Sequence, residues 1–236
     1  MKIKIKKIIN TSLIDWEGKI VSTFYFPHCN FRCPFCYNCD LVLNPNKLED
    51  IPIDDIKSLL LNRRKFIDGV CISGGEPTLC TELPRFLKMI KKWGFLIKLD
   101  TNGTNPNILK SMIDLDLIDY IAMDIKSSLD FENYSKSVGV REGFSLERIQ
   151  KSIALIMNSK IDYEFRTTIV PSLHDEEHII KIAKHIKGAK KYILQKFVSQ
   201  EKMLDPSFQN VEQYSDTFMQ QLREKIQKYV FVCSVR

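Results

Sequence analysis

Six short β-branched or aromatic runs alternate with helical patterns along this chain, and that alternation restricts its fold more than any other feature. The runs cover 19–26 (KIVSTFYF), 69–73 (GVCIS), 95–100 (FLIKLD), 119–123 (DYIAM), 162–170 (DYEFRTTIV) and 191–198 (KYILQKFV). Between the first two, residues 51–66 place Ile56, Leu59 and Leu60 on one helical face. A helix starts near Thr81, with Pro84 in its first turn and Gly94 just past its end. Asn105 and Pro106 offer a cap and a first helical position for Ile108, Leu109 and Met112. Ser145 can cap a helix carrying Leu146, Ile149, Ile153 and Ile156. Asp175, Glu176 and Glu177 open the best-marked helix, Ile179, Ile182, Ala183 and Ile186 form its stripe, and Gly188 stops it. Strands separated by helices must run parallel through right-handed crossovers, so a doubly covered sheet or a barrel with outer helices is expected. In such folds ligands sit at the carboxyl ends of the strands. Those ends carry, in order, the cysteine loop HCNFRCPFCYNCD (28–40), GGEP (74–77), DTNGT (100–104) and DIK (124–126).

The chain has 236 residues, 44% of them hydrophobic, enough to fill a core without staples. No linker, repeat or compositional break marks a boundary, so a single domain over 1–236 is expected, with a core of about 13–198 and a C-terminal extension over 199–236. No apolar run approaches the roughly 18 residues of a membrane span, and MKIKIKKIIN alternates Lys and Ile instead of offering a signal-peptide apolar segment. A cytoplasmic location with no membrane partner follows as the expectation. The formal net charge of +6 would suit a polyanion, but the lysines are dispersed and read as a solvated face, so no nucleic-acid partner is expected.

Cys29, Cys33, Cys36 and Cys39 fall within eleven positions of a chain with seven cysteines. In a reducing compartment such a cluster reads as a metal or redox site before a disulfide framework. Structural zinc usually draws on two separated pairs, which ranks zinc second here. C-x3-C-x2-C is tight enough for one loop to wrap an iron–sulfur cubane, and three thiolates leave one iron open to a reactant. Cys39 as a fourth ligand would make the cluster a plain electron carrier, which is the competing reading. Cys71 reads as a core residue, and Cys80 and Cys233 lack companions at ligand spacing. His28 reads as shaping the loop, and His174, His178 and His185 as belonging to a helix and its approach.

Cys29-x3-Cys33-x-Phe35-Cys36, with SGGEP, LDTNGT, MDIK and RTTIVP at these spacings, resembles the radical S-adenosylmethionine (SAM) enzymes. Within them it is similar to the short glycyl-radical-enzyme activases, especially those of anaerobic ribonucleoside-triphosphate reductase, from about Leu13 to Phe197. The resemblance implies a partial (βα)6 barrel with a parallel sheet and outer helices. It implies that Cys29, Cys33 and Cys36 ligate a [4Fe–4S] cluster whose fourth iron is chelated by SAM. One electron from a flavodoxin or ferredoxin would cleave the sulfonium to methionine and a 5′-deoxyadenosyl radical, which removes a hydrogen atom from a glycine of a partner such as anaerobic ribonucleotide reductase. By the same match Phe35 and the Tyr37 backbone would meet the adenine, and Gly74 and Gly75 would let the main chain approach the ligand. Glu76 would accept from the methionine ammonium, Lys126 and Arg166 would address the carboxylate or ribose, and Asp100, Asp124 and Gln195 would support the pocket. Two alternatives stand beside it: a small-molecule radical SAM synthase of the 7-carboxy-7-deazaguanine synthase type, and a non-enzymatic iron–sulfur or zinc protein.

Overall fold

A computed structural model describes residues 3–236. Strands succeed one another in the sheet in chain order, and the chain forms two compact units. The first comprises residues 1–29, 40–101 and 107–121, and the second 30–39, 102–106 and 122–236.

In the first unit β1 (Lys7–Ser12) runs antiparallel to β2 (Val21–Phe26). After the short α1 (Cys39–Leu43) and α2 (Ile53–Asn62), β3 (Gly69–Gly74) pairs parallel with β2, Val21 opposite Gly69 through Phe26 opposite Gly74. Helix α3 (Leu83–Lys92) leads to β4 (Leu96–Thr101), parallel to β3, and α4 (Pro106–Asp114) leads toward β5 (Tyr120–Asp124), which is shared between the units. Ile56, Leu60, Phe86, Leu87 and Ile90 of the helices and Phe24, Ile72, Ile97 and Leu99 of the strands are all fully buried, with the Phe24 and Phe86 rings 6.2 Å apart. This is the periodicity of 3.6 facing the periodicity of 2 that the sequence displays.

The second unit adds α5 (Phe131–Val138), α6 (Leu146–Met157), β6 (Asp162–Ile169), α7 (Glu176–His185), β7 (Lys191–Lys196), α8 (Asp216–Ile226) and β8 (Val232–Val235). Strands β6, β7 and β8 are parallel. Each expected strand lies within two residues of its observed bounds. Asp175, expected inside the first turn of α7, instead caps it: its side chain accepts the His178 N–H while the His178 ring accepts the Asp175 N–H. Ser145 precedes α6 without a side-chain cap.

Five helices and strands lie outside the sequence reading: β1, β8, α1, α5 and α8. Strand β1 makes one edge of the sheet antiparallel, where the helix alternation implied parallel neighbours only. Cys71 is fully buried in β3, as expected of a core residue. Among the described residues no helix is long and apolar enough to cross a membrane.

Candidate functional site

In the first unit the cysteine loop leaves the carboxyl end of β2 beside the carboxyl ends of β3 and β4. His28 adopts a left-handed φ of 65°, turning the chain toward Cys29; its N–H donates to the Leu41 carbonyl, and its own carbonyl accepts the Glu76 N–H at 2.8 Å. A Cβ on Gly74 would lie 2.3 Å from the Phe26 nitrogen, and one on Gly75 would lie 1.8 Å from the His28 carbonyl oxygen. The two glycines thus admit the backbone that delivers Cys29, an approach no side-chain-bearing residue permits.

Glu76 is 1% exposed, and its Oε1 accepts from the Thr78 N–H at 3.1 Å, the Thr78 hydroxyl at 2.5 Å and the Thr101 hydroxyl at 2.7 Å. Three donors on one oxygen fix the orientation of this carboxylate. Lys98, itself buried, binds the Asp100 carboxylate at 2.7 Å and the Asp15 carbonyl at 2.7 Å.

In the second unit the loop continues through Cys33 and Cys36, closed as a turn by the Cys36 N–H on the Cys33 carbonyl at 3.0 Å. Asn30 is tied to the turn after β4: its amide donates to the Thr104 hydroxyl and accepts from the Asn102 amide. The Arg32 N–H donates to the Val138 carbonyl at the end of α5. Phe35 is buried, with the Lys126 ammonium 6.0 Å from its ring centroid, whereas the Tyr37 residue is 63% exposed. Asp124 anchors a buried ion cluster. Lys126 Nζ reaches one carboxylate oxygen at 2.8 Å and Arg166 Nε the other at 2.7 Å. Burial works against the charge on Asp124, but Arg166 and Lys126 outweigh it and hold the carboxyl well below its usual range. Burial likewise works against the Lys126 ammonium, yet Asp124 and Cys33 raise it. Burial pushes the Cys36 thiol up, opposed by the Asn38 backbone, Lys126 and Arg32. Gln195 stands in β7 opposite Thr168, on the sheet face that carries Arg166 and one rung nearer the carboxyl ends.

The sequence reading placed His174 at the approach to a helix, as the structure has it, but gave it no part in holding the site. It is buried, its Nδ1 accepts the Val170 N–H at 3.0 Å, and its Nε2 donates to the Lys126 carbonyl at 2.7 Å, so it holds the backbone at Lys126 in place. Its signal was slight, one histidine before a helix cap. Burial lowers it to about 4, with the Lys126 carbonyl bond opposing. An unfolded histidine titrates near 6.5, so below that pH the unfolded chain binds the extra proton and stability falls until about pH 4. Between pH 7 and 5 this group alone is expected to remove about 2 kcal/mol. Urea unfolding across that window checks it: His174→Gln should flatten the profile, and parallel profiles for the two proteins would exclude the effect. Thr78, Thr101, Asn30, Asn102 and Thr104 were not named as holders of the site, though DTNGT, which contains Thr101, Asn102 and Thr104, and the loop that contains Asn30 had been marked.

The donor set fits an iron–sulfur cluster: all seven cysteines are free thiols, three of them at C-x3-C-x2-C spacing on a loop tethered at Asn30, Arg32 and Cys36. Among the described residues no group of three or more His, Cys, Asp or Glu stands gathered to hold a metal ion, so the sulfurs would be drawn together by the cluster itself. Cys39 opens α1 with its Sγ 3.2 Å from the Cys36 carbonyl, turned onto the main chain.

A family model described as the Radical SAM superfamily matches residues 23–186. A Methanocaldococcus jannaschii protein is 34% identical over 236 residues, 98% of this chain and 94% of its own; its name, glycyl-radical enzyme activating enzyme, is itself provisional. A second protein of that organism with the same provisional name is 30% identical over 182 residues, 74% of this chain and 65% of its own. The crystal structure of Streptococcus suis SuiB bound to S-adenosylmethionine aligns with a TM-score of 0.66 at 16% identity, covering 91% of this chain and 51% of that one. This chain therefore spans about half of SuiB. A likeness of that kind speaks to the fold, a parallel α/β sheet with surrounding helices consistent with a partial barrel.

Proposed function

The chain belongs to the radical SAM superfamily, whose cofactors are a [4Fe–4S] cluster and S-adenosylmethionine, and from that premise we propose that it is the activating enzyme of a glycyl-radical enzyme. The observation that carries the reading is the similarity along nearly the whole chain to a protein of that provisional name. Cys29, Cys33 and Cys36 would hold the cluster, which would supply the single-electron chemistry that cleaves the sulfonium of S-adenosylmethionine and so allows a hydrogen atom to be taken from the partner's glycine.

This chain's residues bind and orient. Glu76, fixed by Thr78 and Thr101, accepts from the methionine ammonium. Lys126 and Arg166, held in register by Asp124, present N–H donors to the carboxylate or ribose, with Asp100 and Gln195 supporting. Phe35 and the Tyr37 main chain meet the adenine. The partner is a glycyl-radical enzyme such as anaerobic ribonucleotide reductase, the electron donor a flavodoxin or ferredoxin, and the compartment the cytoplasm.

Anaerobic reconstitution with iron and sulfide, followed by reduction, SAM and a candidate partner, tests the reading. The expected result is 5′-deoxyadenosine together with a glycyl-radical EPR doublet on the partner. SAM turnover without that doublet on any glycyl-radical enzyme of the source organism would remove the activase assignment, and absence of iron after reconstitution would remove the cluster chemistry as well.

A further inference from the structure

We infer that the C-terminal extension is a strap that positions Cys33 and Cys36, through backbone N–H groups of Leu204 and Asp205 donated to the cysteine loop. The inference rests on the proposed role of those two cysteines as cluster ligands. Leu204 N–H donates to the Cys36 carbonyl at 2.9 Å, and Asp205 N–H to the Pro34 carbonyl at 2.9 Å. The turn between the two cysteines is already closed from inside by Cys36 N–H on Cys33, so the strap supplies its outer rungs. The Cys36 carbonyl takes a second donor, the Cys39 thiol.

The strap is itself anchored. Met203 and Phe208 are buried on either side of the two donors. The Asp205 side chain accepts the Ser207 N–H at 2.9 Å and caps the short 3-10 turn Pro206–Asn210, and the Gln209 amide donates to the Glu201 carbonyl at 2.7 Å. The C-x3-C-x2-C spacing alone leaves a loop with many backbone states. Two rungs from a packed segment remove most of them, so the main chain that carries the two cysteines is held before any iron arrives, and the cluster has only side-chain rotations left to set. Leu204 and Asp205 lie 168 and 171 positions from the carbonyls they bind, which is why the spacing of the cysteines gave no sign of the strap.

The test compares Leu204→Pro, which deletes the N–H, with Leu204→Ala, which keeps it, and reads the rate at which a chelator strips iron from the anaerobically reconstituted protein. Leu204→Pro is expected to lose iron about tenfold faster than the parent, while Leu204→Ala stays within about twofold. Equal rates for all three overturn the inference. Should Leu204→Pro fail to fold, Met203→Asp, which unseats the anchor but leaves both N–H groups in the chain, takes its place with the same expectation. Amide hydrogen exchange of the cluster-free protein separates the two levels: slow exchange at Leu204 and Asp205 supports the strap even if the parent takes up no iron, an outcome that would sink the cluster assignment, and fast exchange at both overturns the strap whatever the iron content.

Discussion

Alanine at Cys29, Cys33 or Cys36 is expected to abolish reductive SAM cleavage, whereas Cys39→Ala keeps most of it. Residues that hydrogen-bond a metal's ligands cost about 10–100-fold when removed, and loss of a ligand itself should exceed that. The asymmetry follows from where Cys39 points. Its sulfur is engaged with the Cys36 carbonyl at the start of α1, so its removal costs one weak hydrogen bond. Iron content after anaerobic reconstitution and 5′-deoxyadenosine yield are the measurements. A Cys39→Ala protein that loses the cluster as completely as the other three variants would support a capped, four-thiolate carrier and end the enzyme reading.

The second large effect concerns Asp124. Its carboxylate serves two partly buried cations at once, so Asp124→Ala takes a carboxylate partner from both Lys126 and Arg166. Removing one partner of a buried pair costs about 3–5 kcal/mol. The Asp124 side chain is 25% exposed, which argues for about 3. In a chain of this length that is a fall of roughly 6–12 °C in Tm. Lys126→Met and Arg166→Met each leave the carboxylate one partner and should cost less. SAM binding is expected to weaken in all three, because the cluster sets the directions of the donors proposed to meet the ligand. Thermal unfolding of the three variants decides the matter: equal losses, or a loss under about 1 kcal/mol for Asp124→Ala, would show that the ions are held independently of one another.

Much of the fold was legible because burial imposes periodicity. Ile179, Ile182 and Ala183 are buried in α7 as their spacing requires, and Gly188 adopts the left-handed φ of 86° that ends the segment. What escaped was weakly patterned. Helix α5 carries FENYSKSV, whose polar residues suggest a loop, yet Asp130 caps it through the Asn133 N–H and Gly139 closes it in a left-handed conformation. Gly139 is needed there because a Cβ would lie 2.0 Å from the Arg32 carbonyl. Helix α8 had its marks as well, a Ser215 cap and buried Met219, Leu222 and Ile226. Strands β1 and β8 had fewer: an edge strand is decided by its partner as much as by its own residues, and neither run is buried on both faces.

The candidate site divides along the same line. By itself the sequence singled out the residues proposed to carry chemistry, because thiol spacing, the paired glycines and the charged residues at strand ends are written locally and follow a parallel sheet's rule for where ligands bind. Only the tertiary structure decided how those residues are held. That Thr101 orients Glu76, that Lys98 takes Asp100, that His174 props the backbone of Lys126, and that Leu204 pins Cys36 are contacts across 25, 2, 48 and 168 positions. Apart from the second, such partners are set by which chain segments pack together, and packing is a property of the whole core that no local stretch encodes.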